Sequence, residues 1–532
     1  MSVRLKTPLL GGLALGVLAL VPMAARAATP ADTLVMAKNI DDMISLDPAE
    51  SYELSGVEVD ANIYDRIVRN DPKDPTKIVG GVAESWTSSP DGKTMTFKLR
   101  SGQTFPDGKP VTAEDAAFSL SRVIKLNKNP AFLIDQLGWT KDNVDSMVKA
   151  VDPTTLQITI GPNYAPTLVL ALMSSIVGSV VEKSVVMEHD QGGDLGNAWL
   201  KAHSAGSGAF TLKSWKANES VVLEANPNYR EGAPALKRVV IRHVPEPAAQ
   251  RLLIEKGDAD VARDLTPDLI AAIGGNKDVK VVASPQATLH YVGVNVKAAP
   301  LDNPKVRQAL HYLVDYDGMS NSFLKGQYQV HQTFWPSGFW AALDKNPYGF
   351  EPAKAKQLLA EAGYPNGFEI TLDAANSAPY TNIAQSIQAS MAQGGVKVTI
   401  LPSEQKSLLT KYRARQHQLL LVYWGPDYMD PHSNADSFAR NTDNSDNPAT
   451  KPLAWRNSWL IPDISKRTAA AVEERDGTKR EAMYKDLQQT LLDDSSFIVM
   501  FQEVKQTAER SNLQDFIVGP TQDVVLYGYA KK

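Results

Sequence analysis

Residues 83–123 read AESWTSSPDGKTMTFKLRSGQTFPDGKPVTAEDAAFSLSRV. This one stretch sets out the order of strand, turn and helix on which the fold rests. Thr94 to Leu99 (TMTFKL) alternates polar and apolar residues, as a half-buried strand does. Pro106-Asp107-Gly108-Lys109 is a turn, since Pro presets φ and Gly tolerates a positive one. Thr112 then stands as an N-cap with Asp115 at the third helical position, close to a capping box. The helix it opens runs to about Ile124.

The same alternation continues on both sides. Leu34 to Ala37, Thr155 to Ile160, Ser220 to Leu223, Arg238 to His243, Val279 to Val282, Leu289 to Val296 and Phe497 to Phe501 read as strands. Apolar spacing of 4, 3 and 4 from Val57 to Val68 predicts a helix. Pro247 to Lys256, Pro304 to Val314 and Pro352 to Ala362 are helices that begin on Pro. Glu369 to Leu372, Val396 to Leu401 and Leu419 to Tyr423 are strands around a helix from Thr381 to Gln393, and that βαβ rhythm implies a mixed α/β sheet.

Composition narrows the class. The chain has 532 residues, enough for about three or four domains. It has no cysteine, which excludes disulfides, thiolate metal sites and a cysteine nucleophile. A net charge of −5 argues against a nucleic-acid partner. The N-terminus carries Arg4 and Lys6, an apolar run from Leu9 to Val21, and the small-x-small site Ala25-Arg26-Ala27. That is the order of a secretory signal peptide cleaved after Ala27. Loss of Arg4, Lys6 and Arg26 takes the charge from −5 to −8. No Cys stands at the cleavage site, so no lipid anchor is expected, and the product is expected in a periplasm.

Signatures of catalysis are missing. There is no Gly-x-Ser-x-Gly elbow, no His-Glu-x-x-His and no phosphate-binding Gly-x-x-x-x-Gly-Lys loop. The eight histidines are scattered, and His203, Ser204 and Ser207 share a Gly-rich loop without an orienting acid. What stands out are aromatics beside charges: Tyr423-Trp424-Gly425-Pro426-Asp427-Tyr428-Met429-Asp430-Pro431 after a buried strand, and Trp335-Pro336-Ser337-Gly338-Phe339-Trp340. They could line a cleft in which a carboxylate captures a cation. Equally, they could be core, with Asp427 and Asp430 capping turns.

Residues 83–123 resemble the signature of the family 5 solute-binding proteins, the extracytoplasmic receptors of peptide and nickel ABC transporters. Gly206-Ser207-Gly208-Ala209-Phe210 with Trp215, Glu224 to Tyr229, Asp302 with Pro304 to Asp317, and Pro352 to Tyr364 agree with it in order. The resemblance implies a two-lobed α/β fold, periplasmic-binding-protein-like, of type II in its large cluster. Lobe I is then discontinuous (28–65, 205–285 and 500–532), with an additional domain (66–204) packed on it, a lobe II (286–499) and a hinge. It implies a monomer that holds a small peptide between the lobes and hands it to ABC permease subunits at the inner membrane, with no cofactor, no metal and no reaction.

Site residues also follow from the resemblance. Trp424, Asp427, Tyr428 and Pro431 match a segment whose Asp pairs with a peptide's α-ammonium, and Tyr423 precedes them. Residues 50–54, with Ser51, Tyr52 and Glu53, match an extended segment that holds peptide backbone. Trp335 and Trp340 are candidate cleft aromatics. Where dipeptide receptors of the family carry an Arg before Pro-Tyr, this chain has Ala378 before Pro379-Tyr380; Arg413 or Arg415 is the alternative holder of a ligand carboxylate. An opine, a sugar conjugate or a metal chelate is the alternative ligand, and a secreted hydrolase or an exported chaperone the alternative class.

Overall fold

An 11-stranded sheet runs through the molecule. Its order is Val396–Ser403, Phe368–Ala375, Leu419–Trp424, Val279–Val294, Phe497–Arg510, Val261–Ala262, Thr33–Lys38, Arg238–His243, Ser220–Ala225 and Phe210–Lys216, with Tyr328–Val330 added beside Phe497–Arg510. This computed structural model describes residues 29–532, so the signal segment expected over 1–27 lies outside the described residues. Among them no helix is long and apolar enough to cross a membrane.

Two antiparallel strands hold the halves of the sheet together. Val279–Val294 pairs with Phe497–Arg510 from Val279↔Arg510 to Gly293↔Phe497, with register shifts between Pro285 and Leu289 and again at His290/Tyr291. On one side Phe368–Ala375 lies parallel to both Val396–Ser403 and Leu419–Trp424, and the helix Tyr380–Gln393 crosses between them. Apolar cores there draw on residues 289–501. On the other side Thr33–Lys38 lies parallel to Arg238–His243 over a core built from residues 34–261 and 513–530. A third core gathers residues 49–180 around an antiparallel sheet of Ala83–Ser88, Thr94–Leu99, Thr155–Thr159 and Val148–Asp152.

One buried ion pair ties the helix Ala113–Leu126 of the third core to Asp47, and a second buried cluster is centred on Glu58. The Arg122 guanidinium donates to both Asp47 oxygens at 2.6 Å, with both side chains almost wholly buried. Glu58 accepts from Lys38 at 2.6 Å, Arg263 at 3.2 Å and Tyr527 at 2.7 Å. A buried charge is tolerable only with such partners.

Two expectations about elements are corrected. The helix expected over Val57 to Val68 spans Leu54–Ile63. Tyr64 turns extended (φ −119, ψ 137), Ile67 donates its N–H to the Gly178 carbonyl, and Val68 starts a strand against Ile78–Gly80. The strands expected at Val279–Val282 and Leu289–Val296 are one strand, because Pro285 sits at a register shift where its missing N–H costs no ladder bond.

Candidate functional site

The strand LLLVYW (Leu419–Trp424) is buried from Leu419 to Val422 and delivers the following loop to the edge of its lobe. Two acids on that loop have different surroundings. Asp430 N-caps the helix Pro431–Phe438, accepting from the His432 N–H at 2.9 Å. Its carboxylate also takes a fork from Arg480, at 2.7 and 2.8 Å, with both groups buried. Asp427 has no such cation. Its backbone N–H donates to Ser433 Oγ at 2.8 Å, which fixes the loop, and its carboxylate accepts from the Tyr52 hydroxyl at 2.5 Å. Burial pushes the Asp427 carboxyl up to about 6; the Tyr52 hydrogen bond pulls it down, the Asp436 charge adds to the rise and Arg456 opposes it. Only one of the two acids is therefore a capping residue with its charge already balanced.

The Tyr52–Asp427 bond joins residues far apart in the chain, one packed against the core of residues 49–180 and the other on the loop after Leu419–Trp424. Other contacts bridge the same gap: Ala165 N–H to the Val472 carbonyl at 2.9 Å, Arg480 to Thr167 Oγ1 at 3.1 Å, and Arg475 to the Pro90 carbonyl at 2.9 Å. Tyr428 is 7% exposed and packs into the third core across this gap.

The remaining sequence-derived residues divide. Trp424 is half-buried and its indole N–H has no partner, while Tyr423 is 42% exposed. Glu53 precedes the helix Leu54–Ile63 without capping it. Ser51 is buried beside Asp60, and the amides of Glu50 and Ser51 both donate to the Asp47 carbonyl, so residues 50–51 form a turn and not an extended edge. Trp335 is core, 1% exposed, with its indole N–H on the Trp340 carbonyl. Trp340 is half-buried and carries the Arg480 guanidinium 5.4 Å above its ring. Arg413 is exposed, and Arg415 is held by the Asn444 carbonyl, Ser458 and the Trp455 ring. The structure brings together Tyr52, Asp427 and Tyr428, while Trp424 packs against the core on the other side; it does not bring Ser51, Trp335 or Arg415 to that group.

The sequence reading missed three features. Arg456 lies over the Tyr412 ring at 5.4 Å and its charge reaches Asp427. Glu503 faces tyrosines from other strands, and His290 is buried with neither ring nitrogen partnered. None belongs to a local motif, so no sequence signal marked them. Among the described residues no group of His, Asp and Glu is arranged to hold a metal ion. Ser207 lies near Asp65 at 3.4 Å while His203 stacks on Trp199, so that loop assembles no nucleophile–base pair.

Comparisons with known proteins agree with this geometry. The chain is 28% identical over 500 residues to a probable D,D-dipeptide-binding periplasmic protein of Escherichia coli, covering 93% of each. It is 25% identical over 490 residues to the glutathione-binding protein of Salmonella typhimurium, covering 90% of each. Its fold matches a periplasmic binding protein from Helicobacter pylori in complex with the peptide STSA, at a TM-score of 0.75 and 23% identity, over 94% of this chain and 98% of that one. That likeness places the chain in the two-lobed α/β fold. The profile of bacterial extracellular solute-binding proteins, family 5 (middle) matches residues 77–446, and the chain belongs to that family.

Proposed function

We propose that the protein is the exported receptor of an ABC importer, which captures a small peptide between its lobes and delivers it to the membrane permease as a monomer, without cofactor or chemistry of its own. The observation that carries the reading is Asp427, a half-buried carboxylate at the lobe interface with no cation partner, three residues from Asp430, whose charge is balanced by Arg480. Burying a carboxylate is costly unless a cation is buried with it. A peptide's α-ammonium is such a cation, and Tyr52 supplies a hydrogen bond from the facing lobe. Relatives named for a D,D-dipeptide and for glutathione support a peptide ligand. Arg456, over the Tyr412 ring and near enough for its charge to reach Asp427, offers a guanidinium for the ligand's carboxylate in place of Arg413 or Arg415.

Calorimetry of one free-amine peptide and its N-acetylated form tests this. Asp427→Asn keeps the size and removes the charge. Truncating one partner of a buried pair costs ~2–5 kcal/mol, about 30- to 5000-fold in affinity. The free amine is expected to lose affinity on that scale, and the acetylated peptide to bind both proteins poorly. Equal binding of the free amine by wild type and Asp427→Asn overturns the anchor.

A further inference from the structure

A second carboxylate without an ion pair lies on the central strand Phe497–Arg510. Glu503 stands opposite Tyr328 in the register between Phe497–Arg510 and Tyr328–Val330. It is half-buried, and loss of solvent holds its carboxyl above the usual range. The cation that acts on it is Lys505, two residues along the same face, whose ammonium lies 3.4 Å from Asp264. No ion pair within the described residues satisfies Glu503.

Tyr328, opposite this acid in the ladder, belongs to a cluster of three tyrosines from separate segments. Tyr328, Tyr380 and Tyr423 gather about His290, with ring centroids 4.9, 5.9 and 5.9 Å from it, and Tyr380 stacks on Tyr423 at 6.4 Å. Burial raises all three phenols, and the Glu503 charge adds to the rise in each. Both His290 nitrogens are buried without a partner, and burial pushes that ring down to about 3, so it is neutral. Tyr423 is the exposed member of the cluster, at 42%. From there the chain reaches Asp427 in four residues, at most about 14 Å between Cα atoms.

We propose that Glu503, Tyr328, Tyr380 and Tyr423 form a second subsite that takes an organic cation, an alkylammonium or guanidinium group on the solute whose amine meets Asp427. Aromatic faces attract such a cation, and a carboxylate behind them balances its charge. The phenol oxygens and His290 accept its N–H groups. An anionic group would meet Glu503, and an apolar one would leave it buried and unpaired. The preferred solute therefore carries two positive charges, as a short peptide with a basic side chain does. This extends the peptide reading and rests on it for the Asp427 end only.

The test pairs each basic probe with a neutral partner of similar shape: Ala-Lys and Ala-Ala-Lys against the same peptides with norleucine, and 1,5-diaminopentane against 5-aminopentan-1-ol. Calorimetry is run on wild type, Glu503→Gln and Tyr423→Leu, with thermal melting to confirm that each variant folds. In wild type at least one lysine peptide is expected to bind about tenfold or more tightly than its norleucine partner. That preference should fall to within about twofold in Glu503→Gln and shrink in Tyr423→Leu, while norleucine peptides are unaffected by Glu503→Gln. Equal binding of lysine and norleucine peptides, or a preference that survives Glu503→Gln, overturns the subsite and leaves the peptide reading standing. If no peptide binds, the peptide reading falls and the diamine decides: binding lost in Glu503→Gln supports the subsite, and no preference over the amino alcohol overturns it.

Discussion

Asp427 and Asp430 sit three residues apart and answer to different partners, so the same substitution should do different things to them. Asp430→Asn leaves Arg480 buried and unpaired, and breaking a buried pair from one side costs about 3–5 kcal/mol. Thermal melting should show a clear loss for Asp430→Asn and none for Asp427→Asn, which removes a half-buried charge lacking a cation; equal losses would contradict the assignment. Asp427 also sets a pH dependence. Its carboxyl titrates near 6 in the folded protein, above the ordinary Asp value, through burial and Asp436 against the pull of Tyr52 and Arg456. With the lobes closed and no ligand bound, Asp427 holds its proton more tightly than in the unfolded chain, so the stability of that closed form is full below about pH 4 and declines as pH rises through 6, by up to about 3 kcal/mol. Binding of a free-amine peptide runs the other way, because the ammonium needs the ionised acid. Affinity should be about tenfold weaker at pH 5 than on its plateau above pH 7; calorimetry showing a flat profile would contradict this. The Trp424–Asp427–Tyr428 pattern was legible in the sequence. Which acid was the cap was not, because Arg480 comes to Asp430 from a helix 50 residues on.

At the scale of elements, local signals read well and long-range pairing did not. Thr112 and Asp115 form a full capping box: Thr112 Oγ1 accepts from the Asp115 N–H, and Asp115 Oδ2 accepts from the Thr112 N–H at 2.9 Å. Asp115 Oδ1 also accepts from the Lys183 N–H at 2.9 Å. Thr112→Ala should therefore cost about 1 kcal/mol, and Asp115→Ala more, since it also orphans Lys183; denaturant melts that rank them the other way would refute the box. The helix from Val57 ran too far in the sequence reading because Tyr64 and Val68 keep helical spacing after the backbone has turned extended at Tyr64. The strand Val279–Val294 read as two in the sequence, since a register shift near Pro285 is a property of two strands together. The cluster beside Glu503 was invisible for the same reason: Tyr328, Tyr380, Tyr423 and His290 come from separate elements and meet only when the sheet forms.

For the whole molecule, the sheet is continuous through the strand pair Val279–Val294 and Phe497–Arg510, while the contacts across the lobe gap are a handful of hydrogen bonds, including Tyr52–Asp427, Ala165–Val472 and Arg480–Thr167. We propose that such an arrangement bends at the two central strands, where the register shifts near Pro285, and closes as rigid lobes. The lobe divisions expected after residues 285 and 499 fall inside these strands. Closure should be driven by the ligand's cation, because bringing Tyr52 onto an ionised Asp427 buries that charge. Small-angle X-ray scattering at neutral pH, with and without a saturating free-amine peptide of calorimetrically proven affinity, tests capture between the lobes most directly. The account predicts that the radius of gyration falls with the free-amine peptide in wild type, and stays unchanged with the N-acetylated peptide or in Asp427→Asn. A peptide that binds tightly with no compaction would contradict it.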